Sequence, residues 1–159
     1  MDLVLQHSEA LATIVSVVVV AIAGVIGFRA DQQRHRREYT LNVISPLLTD
    51  NRLFEAHNII IDYHVNKRRI DYNNITDENK VLILQLLGYY EFLAASFLRK
   101  DLDRETVLCQ SKSSIRNTYD VVKAFIESRR VMLSRPNVYA EFELLATQYC
   151  NDTSLPSDQ

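Results

Sequence analysis

The residue with the clearest chemical potential is Glu91, a carboxylic acid in the middle of the apolar segment Val81–Leu98. A carboxylate that folding buries needs a charged or hydrogen-bonding partner, or its pKa rises. Arg116 and Lys123, further along the chain, could supply the charge. We therefore predict that Glu91 is a structural charge in the core. An enzyme that uses Glu91 as an acid in a pocket is the remote alternative.

Two histidines and two cysteines are the other residues that could bind metal or react. His57 and His64 are seven positions apart, about 10 Å along a helix, whereas one metal ion prefers i, i+4 spacing. Cys109 and Cys150 lack the spacing of a zinc or redox site and are predicted to be reduced thiols. Gly88 is the one glycine after residue 28, so the sequence contains no glycine-rich loop that could bind phosphate. We predict no catalytic residue, no metal, no cofactor and no evident small-molecule substrate.

The elements that position these residues are predicted to be helices. The chain has 159 residues, three glycines and three prolines, and its apolar residues recur at helical spacing almost to the end. We predict an all-α fold, with a single N-terminal transmembrane helix followed by a small antiparallel bundle of about four helices. The formal net charge of −2 gives no general attraction to nucleic acid.

The strongest pattern is the uncharged run Ala10–Phe28, which contains no amide and no proline. About 19 such residues span a hydrocarbon core of about 30 Å. A cleaved signal peptide is the alternative, but the leader carries Asp2 and Glu9 and no basic residue. Basic residues mark the cytoplasmic side, which predicts an outward N-terminus and a cytoplasmic domain. The residues predicted to fix this topology and to contact lipid head groups are Arg29, Arg34, Arg36 and Arg37.

Small residues recur within this run at four-residue spacing, which allows two membrane helices to approach closely. They predict a packing face for self-association, although the Val17–Val20 run also suits a helix that only faces lipid. The residues of the predicted packing face are Ala12, Ser16, Ala23 and Gly27.

The predicted segments are an extracytoplasmic N-terminus (1–9), the transmembrane helix (10–28), a juxtamembrane helix (29–49), a cytoplasmic helical domain (50–150) and a disordered tail (151–159). Within the domain, helices are predicted over about 51–66, 81–98 and 104–133, with a further helix that has a proline in its first turn. Residues 81–98 are also long enough for a second membrane span, but the central acid and amide favour a core helix. The predicted helix borders are Pro46, Asp50, Thr76 or Asp77, Asp101 or Asp103, and Pro136.

Helical spacing also predicts which residues of these helices face the core. The residues on the predicted inner face of the helix at 51–66 are Leu53, Phe54, His57, Ile60, Ile61 and His64. Those of the helix at 104–133 are Val107 or Leu108, Ile115, Tyr119, Val122, Phe125 and Ile126, and those of the last helix are Tyr139, Phe142, Leu145, Ala146 and Tyr149.

The stretch GYYEFLAASFLRKDLDRETV resembles the central signature of an uncharacterised bacterial family catalogued as a domain of unknown function. The likeness covers most of residues 40–150, and Arg135–Ala146 resembles the family's closing helix. The resemblance implies an N-terminal membrane helix with a short helical domain in the bacterial inner membrane, and it implies no activity. The positions that carry the signature are Tyr89, Tyr90, Glu91, Arg99, Lys100, Asp101 and Asp103.

Taken together, these patterns predict a non-enzymatic, single-pass membrane protein that serves as a protein-interaction or assembly subunit. The predicted partners are the lipid bilayer and either further copies of the chain or another membrane protein. A membrane effector or channel-like homo-oligomer is the alternative, although a pore-lining helix would normally carry more polar residues than Thr13 and Ser16.

Overall fold

The computed structural model describes the backbone of residues 2–150 and the side chains of residues 20–150. This part of the chain contains helices and no strand, which confirms the predicted all-α class. The helices are α1 (Asp2–Ile44), α2 (Pro46–Thr49), α3 (Asn51–Val65), α4 (Asp77–Leu98), α5 (Arg104–Leu133) and α6 (Ala140–Leu144), and α6 continues into a π-helical turn (Leu145–Tyr149).

The chain divides into two compact units, with the boundary between Arg36 and Arg37. In the first unit, the described side chains are exposed, including the apolar residues from Val20 to Phe28. His35 Nε2 lies 3.5 Å from Asp31 Oδ2, one turn earlier, and exposed pairs of this kind contribute at most about 1 kcal/mol.

The second unit begins earlier than residue 50, where the sequence predicted the domain border. Thr40 is fully buried, and its Oγ1 accepts a 2.8 Å hydrogen bond from the backbone N–H of Asp103. The Tyr89 hydroxyl donates to the backbone oxygen of Val43 at 3.1 Å. The last part of the predicted juxtamembrane helix, from Arg37 on, therefore belongs to the domain. Its Thr40 side chain and its Val43 backbone oxygen accept hydrogen bonds from α4 and from the start of α5.

Local capping chemistry sets the helix starts, as the sequence predicted. Asp50, Thr76 and Asp103 each accept a hydrogen bond from a backbone N–H of the following first turn, at 2.9–3.4 Å. Each bond satisfies a donor that has no partner within the helix. Pro46 lies one residue beyond Ser45, which follows the end of α1, and it opens α2, as expected for a residue that has no backbone N–H.

Helix α4 is the centre of the domain and packs against α3 and α6. Its side chains that lie entirely out of solvent include Ile83, Leu86, Leu87, Tyr90 and Leu93. Burying one such side chain stabilises the fold by about 1.5–3 kcal/mol.

Helix α5 buries the face that the spacing predicted, but α3 does not. The α3 core positions are Ala56 and Ile60, whereas Phe54 and Ile61 remain 48% and 46% exposed. The small side chain of Ala56 lets α3 approach its neighbours closely, since the distance between helices depends on the side chains at the contact. The predicted inner face of α3 is therefore rotated relative to the observed one.

The connection between α5 and α6 differs from the prediction in one respect. Pro136 lies in a turn that precedes the last helix rather than in its first turn. The residues that border this turn, Ser134 and Tyr139, have left-handed φ values of 53° and 58°. They reverse the chain, so that α6 runs alongside α4.

Aromatic contacts align α6 with α4. The rings of Tyr90 and Phe142 stack with centroids 5.1 Å apart, and those of Phe97 and Tyr149 meet edge to face at 5.2 Å. The earlier residues of the two segments pair with each other, and so do the residues seven positions later, which means that the two segments run parallel. Pairs of this kind contribute about 0.5–1.5 kcal/mol beyond their buried area.

Among the residues whose side chains are described, α4 is the one helix long and apolar enough to cross a membrane, judged by length and composition. Half of its most apolar stretch is buried inside the domain. This finding does not cover the run Ala10–Phe28, because the side chains of its first half lie outside the described residues.

Candidate functional site

The candidate site lies where Glu91 of α4 meets the start of α6. Tyr139, the residue before α6, supplies no side-chain hydrogen bond to the helix. Glu91 Oε2 instead accepts a 2.8 Å hydrogen bond from the backbone N–H of Phe142, the third residue of α6. This is the donor that a capping side chain normally satisfies, so Glu91 caps α6 from a neighbouring helix.

A second carboxyl group, that of Glu141, faces the same position and interacts with Glu91. Partial burial, followed by the hydrogen bond to Glu141, raises the pKa of Glu91 to about 7. The same hydrogen bond lowers the pKa of Glu141, and Arg99 acts in the same direction. Two adjacent carboxyl groups resist being charged together, so the pair holds one proton below neutral pH, mainly on Glu91.

A second polar cluster secures α6 to α5. The Tyr119 hydroxyl donates to Glu143 Oε1 at 2.6 Å, and Arg130 Nη2 donates to Glu143 Oε2 at 2.7 Å. Arg130 Nε also donates to the backbone oxygen of Val138 at 2.9 Å. The hydrogen bonds that Glu143 accepts lower its pKa, and the bond from Tyr119 is the largest cause. Burial raises the pKa of Tyr119.

Chemically, the two clusters can do different things. The Glu91–Glu141 pair can take up or release a proton near neutral pH while still holding the start of α6. The Glu143 cluster is an ion pair with hydrogen bonds on both carboxylate oxygens, which suits it to a structural role. A carboxyl group with a strongly raised pKa at a helix junction is a candidate functional group.

The prediction that Arg116 or Lys123 pairs with Glu91 is wrong. Among the described interactions, Lys123 acts on the pKa of Glu143, and Arg116 acts on that of Cys150. Glu91 itself is half-buried at the edge of the core rather than inside it. Its hydrogen-bond donor Phe142 lies 51 residues away, next to its other partner Glu141, and no local pattern in the sequence connects those positions.

The predicted membrane-packing residues are only partly described. The side chains of Ala12 and Ser16 lie outside the described residues, whereas Ala23 and Gly27 are exposed on α1. A methyl group added at Gly27 would meet no atom within 4 Å. The packing face therefore stays a prediction.

The four arginines of the predicted topology signal fall in different units. Arg29, Arg34 and Arg36 belong to the first unit and are exposed, and their contact with lipid stays a prediction. Arg37 belongs to the domain, where its guanidinium lies 3.5 Å from Glu105. Arg37 is therefore engaged in an ion pair of the domain, which the sequence did not predict.

Among the described residues, the other reactive side chains are two histidines on α3 and two cysteines. His57 is half-buried on α3, and His64 is exposed two turns later. Cys109 is exposed and Cys150 is buried, and burial raises the pKa of the Cys150 thiol to about 11. Within residues 20–150, no group of three histidine, cysteine or acidic side chains is placed to hold a metal ion.

A protein-family model matches residues 9–149 of the chain. The chain belongs to the family described as Domain of unknown function (DUF4760). The match confirms the resemblance stated from the signature around Glu91, and the DUF4760 region also includes Glu141 and Glu143. It begins at residue 9, so it extends over the apolar run as well as the helical domain. No curated protein and no solved structure matches the chain.

Proposed function

We propose that this DUF4760 protein is a single-pass membrane-anchored helical module that works by binding other proteins, including copies of itself. In this proposal it is non-enzymatic and resides in a bacterial inner membrane, with its N-terminus outside and its helical domain in the cytoplasm. The observation that carries the proposal is the uncharged run Ala10–Phe28, which is followed at once by basic residues.

The described end of this run supports an anchor. Val20 and Phe28 are 71% and 65% exposed, and the apolar residues between them are also exposed. A helix that presents apolar side chains over its whole circumference suits lipid better than water. The basic residues from Arg29 to Arg36 would then lie at the level of the head groups.

The domain supports a binding role through its surface. Val131, Met132 and Leu133 form a consecutive exposed apolar stretch at the end of α5, with Val131 81% exposed. In this proposal, these exposed apolar side chains contribute to the contact with a partner protein. The Glu91 carboxyl group accepts the hydrogen bond that caps α6, and this structural role supports the non-enzymatic proposal.

Reporter fusions at Gln159 test the orientation. We expect a fluorescent protein that matures only in the cytoplasm to be bright, and a phosphatase that is active only in the periplasm to be silent. The matched control reverses the charges on both sides of the run, with Asp2→Lys and Glu9→Lys before it and Arg29→Glu and Arg34→Glu after it. This control should shift signal toward the phosphatase, because the distribution of basic residues orients the helix.

A truncated chain that begins at Arg37 tests which segment holds the protein in the membrane. We expect this chain to be soluble and helical, because half of the apolar stretch of α4 is buried in the domain. An active phosphatase fusion of the unaltered protein would refute the proposed orientation. A truncated chain that can be extracted only with detergent would assign membrane contact to α4 instead.

A further inference from the structure

The central helix α4 leaves one stripe of its surface open to solvent. The exposed positions between its first and last turns are Val81, Gln85, Gly88 and Phe92, which recur every three or four residues and form what we call the α4 face. None of these residues is charged, and Val81 and Phe92 are 53% and 54% exposed. The side of a helix that faces water normally carries charged or polar residues, so this stripe suits a packed contact better than solvent.

Contacts on both sides of the α4 face hold it outward. On one side, the Tyr89 hydroxyl donates to the backbone oxygen of Val43 at 3.1 Å. On the other side, Glu91 accepts the 2.8 Å hydrogen bond from the backbone N–H of Phe142. Positions 89 and 91 lie on opposite flanks of the helix, because successive residues are about 100° apart. Helix α4 is therefore fixed from both flanks and cannot rotate to bury the stripe.

Gly88 leaves a gap in the middle of the α4 face, between Gln85 and Phe92. A Cβ atom added at Gly88 would meet no described atom within 4 Å, so packing within the domain does not require a glycine there. Glycine inside a helix destabilises it relative to alanine. The missing side chain has a use if a second helix approaches at this point, since the distance between helices depends on the side chains at the contact.

The two ends of α4 carry opposite charges at the surface. Glu78 is exposed in the first turn, and Arg99 is exposed directly after the last turn. Arg99 also acts on Glu141 of its own chain and remains exposed. Two α4 helices that pack antiparallel bring Glu78 of each copy within about one turn of Arg99 of the other, whereas a parallel pair places like charges together. The charges therefore favour an antiparallel pair of copies.

We propose that two copies of this chain meet through the α4 face, as an antiparallel pair in which the Phe92 ring of each copy lies over Gly88 of the other. A two-fold axis at the level of Tyr90 produces both contacts at once, because Gly88 and Phe92 lie equally far on either side of it. The same axis places Val81 opposite Arg99 of the second copy.

This inference rests on the proposed function, because an anchor holds both copies on one membrane and so raises their effective concentration. One pair of helices buries a small area, and we expect the contact alone to have a dissociation constant of about 10 µM. Well below this concentration the chain is monomeric, and Phe92 is exposed as in the structure.

Cysteine cross-linking of the full-length chain in mild detergent tests the arrangement, after Cys109→Ser removes the exposed native thiol. Two preparations with different tags, one carrying Val81→Cys and the other Arg99→Cys, are mixed well above the expected dissociation constant. A short bifunctional maleimide should join the two variants to each other. It should not join two Val81→Cys copies or two Arg99→Cys copies, because like positions lie about 27 Å apart along an antiparallel pair.

Gly88→Leu and Ser113→Leu are the matched variants, because each adds a leucine at an exposed position of a helix. Gly88→Leu should weaken dimerisation at least about tenfold in light scattering and remove the mixed cross-link, because the added side chain keeps the two backbones apart. It should also raise the unfolding midpoint of the dilute monomer, since leucine has a higher helix propensity than glycine. Ser113→Leu should leave dimerisation and the cross-link unchanged.

Several results would overturn the proposal. Cross-links between like variants, the absence of a mixed cross-link, or a dimer that Gly88→Leu does not change would refute it and leave the proposed function standing. A chain that stays monomeric would refute it together with the self-binding part of the proposed function. The reporter fusions at Gln159 test the membrane orientation independently of all these results.

Discussion

Replacing Glu91 with glutamine should remove the part of the pH dependence of the domain's stability that the ionisation of Glu91 causes. In the native state the Glu91 carboxyl accepts the hydrogen bond of the Phe142 backbone N–H and interacts with Glu141. Glutamine reproduces the protonated carboxyl, because its oxygen can accept from Phe142 and its amide can donate to Glu141. Glu91→Gln therefore keeps both contacts and cannot ionise.

The magnitude follows from the pKa of Glu91, which rises from 4.5 to about 7 on folding. A group with a raised pKa in the folded state contributes stability that is complete below the unfolded pKa and is lost as the pH rises through the folded pKa. Glu91 should therefore destabilise the wild-type domain progressively between about pH 4.5 and pH 7. The full shift corresponds to about 3 kcal/mol, but Glu91 is only half-buried, so solvent screening reduces our expectation to about 1 kcal/mol.

Thermal unfolding, followed by circular dichroism at pH 5 and pH 8, measures this effect. Relative to Glu91→Gln, the wild-type protein should lose about 3–5 °C in its unfolding midpoint between these pH values. The lowered pKa of His57 makes stability rise with pH, but it does so equally in both proteins and cancels in the comparison. The exposed Glu55 supplies the control, since Glu55→Gln should follow the wild-type curve.

Parallel pH curves for the wild-type protein and Glu91→Gln would refute this reasoning. They would show that Glu91 ionises with an ordinary pKa and that Glu141 does not share its proton. Glu91→Ala separates the cap from the charge, because it removes the acceptor of the Phe142 N–H at every pH. We expect it to lower stability by about 0.5–2 kcal/mol below pH 5, as loss of a helix cap does.

Two further predictions concern packing. Leu86 is fully buried on α4, so Leu86→Ala should lower the free energy of unfolding by about 2–5 kcal/mol, as measured by chemical denaturation. Phe92 lies on the same helix but is 54% exposed, so Phe92→Ala should lower the free energy of unfolding far less. Equal losses would mean that the Phe92 face is covered. Replacing Ala23 and Gly27 with isoleucine should reduce self-association in mild detergent without unfolding the domain, and light scattering measures this change. A wild-type protein that is already monomeric would contradict the prediction. Association that survives both substitutions would place the contact elsewhere.

Much of the secondary structure could be predicted because its signals are local. Asp50 and Asp103 start α3 and α5 through bonds to backbone groups two or three residues away, and Pro46 follows the end of α1 for lack of an N–H. Periodicity likewise identified the buried face of α5, because that helix has one continuous apolar stripe. For α3 the same reasoning was wrong, since Phe54 and Ile61 extend the apolar surface beyond the face centred on Ala56.

By itself, the sequence determined the all-α class, the capped starts of α3, α4 and α5, the apolar N-terminal run and the family of the chain. Each depends on composition or on residues close together along the chain. Only the tertiary structure decided what Glu91 does, because its partners on α6 lie about 50 residues away and the left-handed residues of the 134–139 turn bring them to it. Hydrogen bonding and burial depend on which residues are close in space. The spacing of residues along one helix does not specify which residues of another helix will lie next to them.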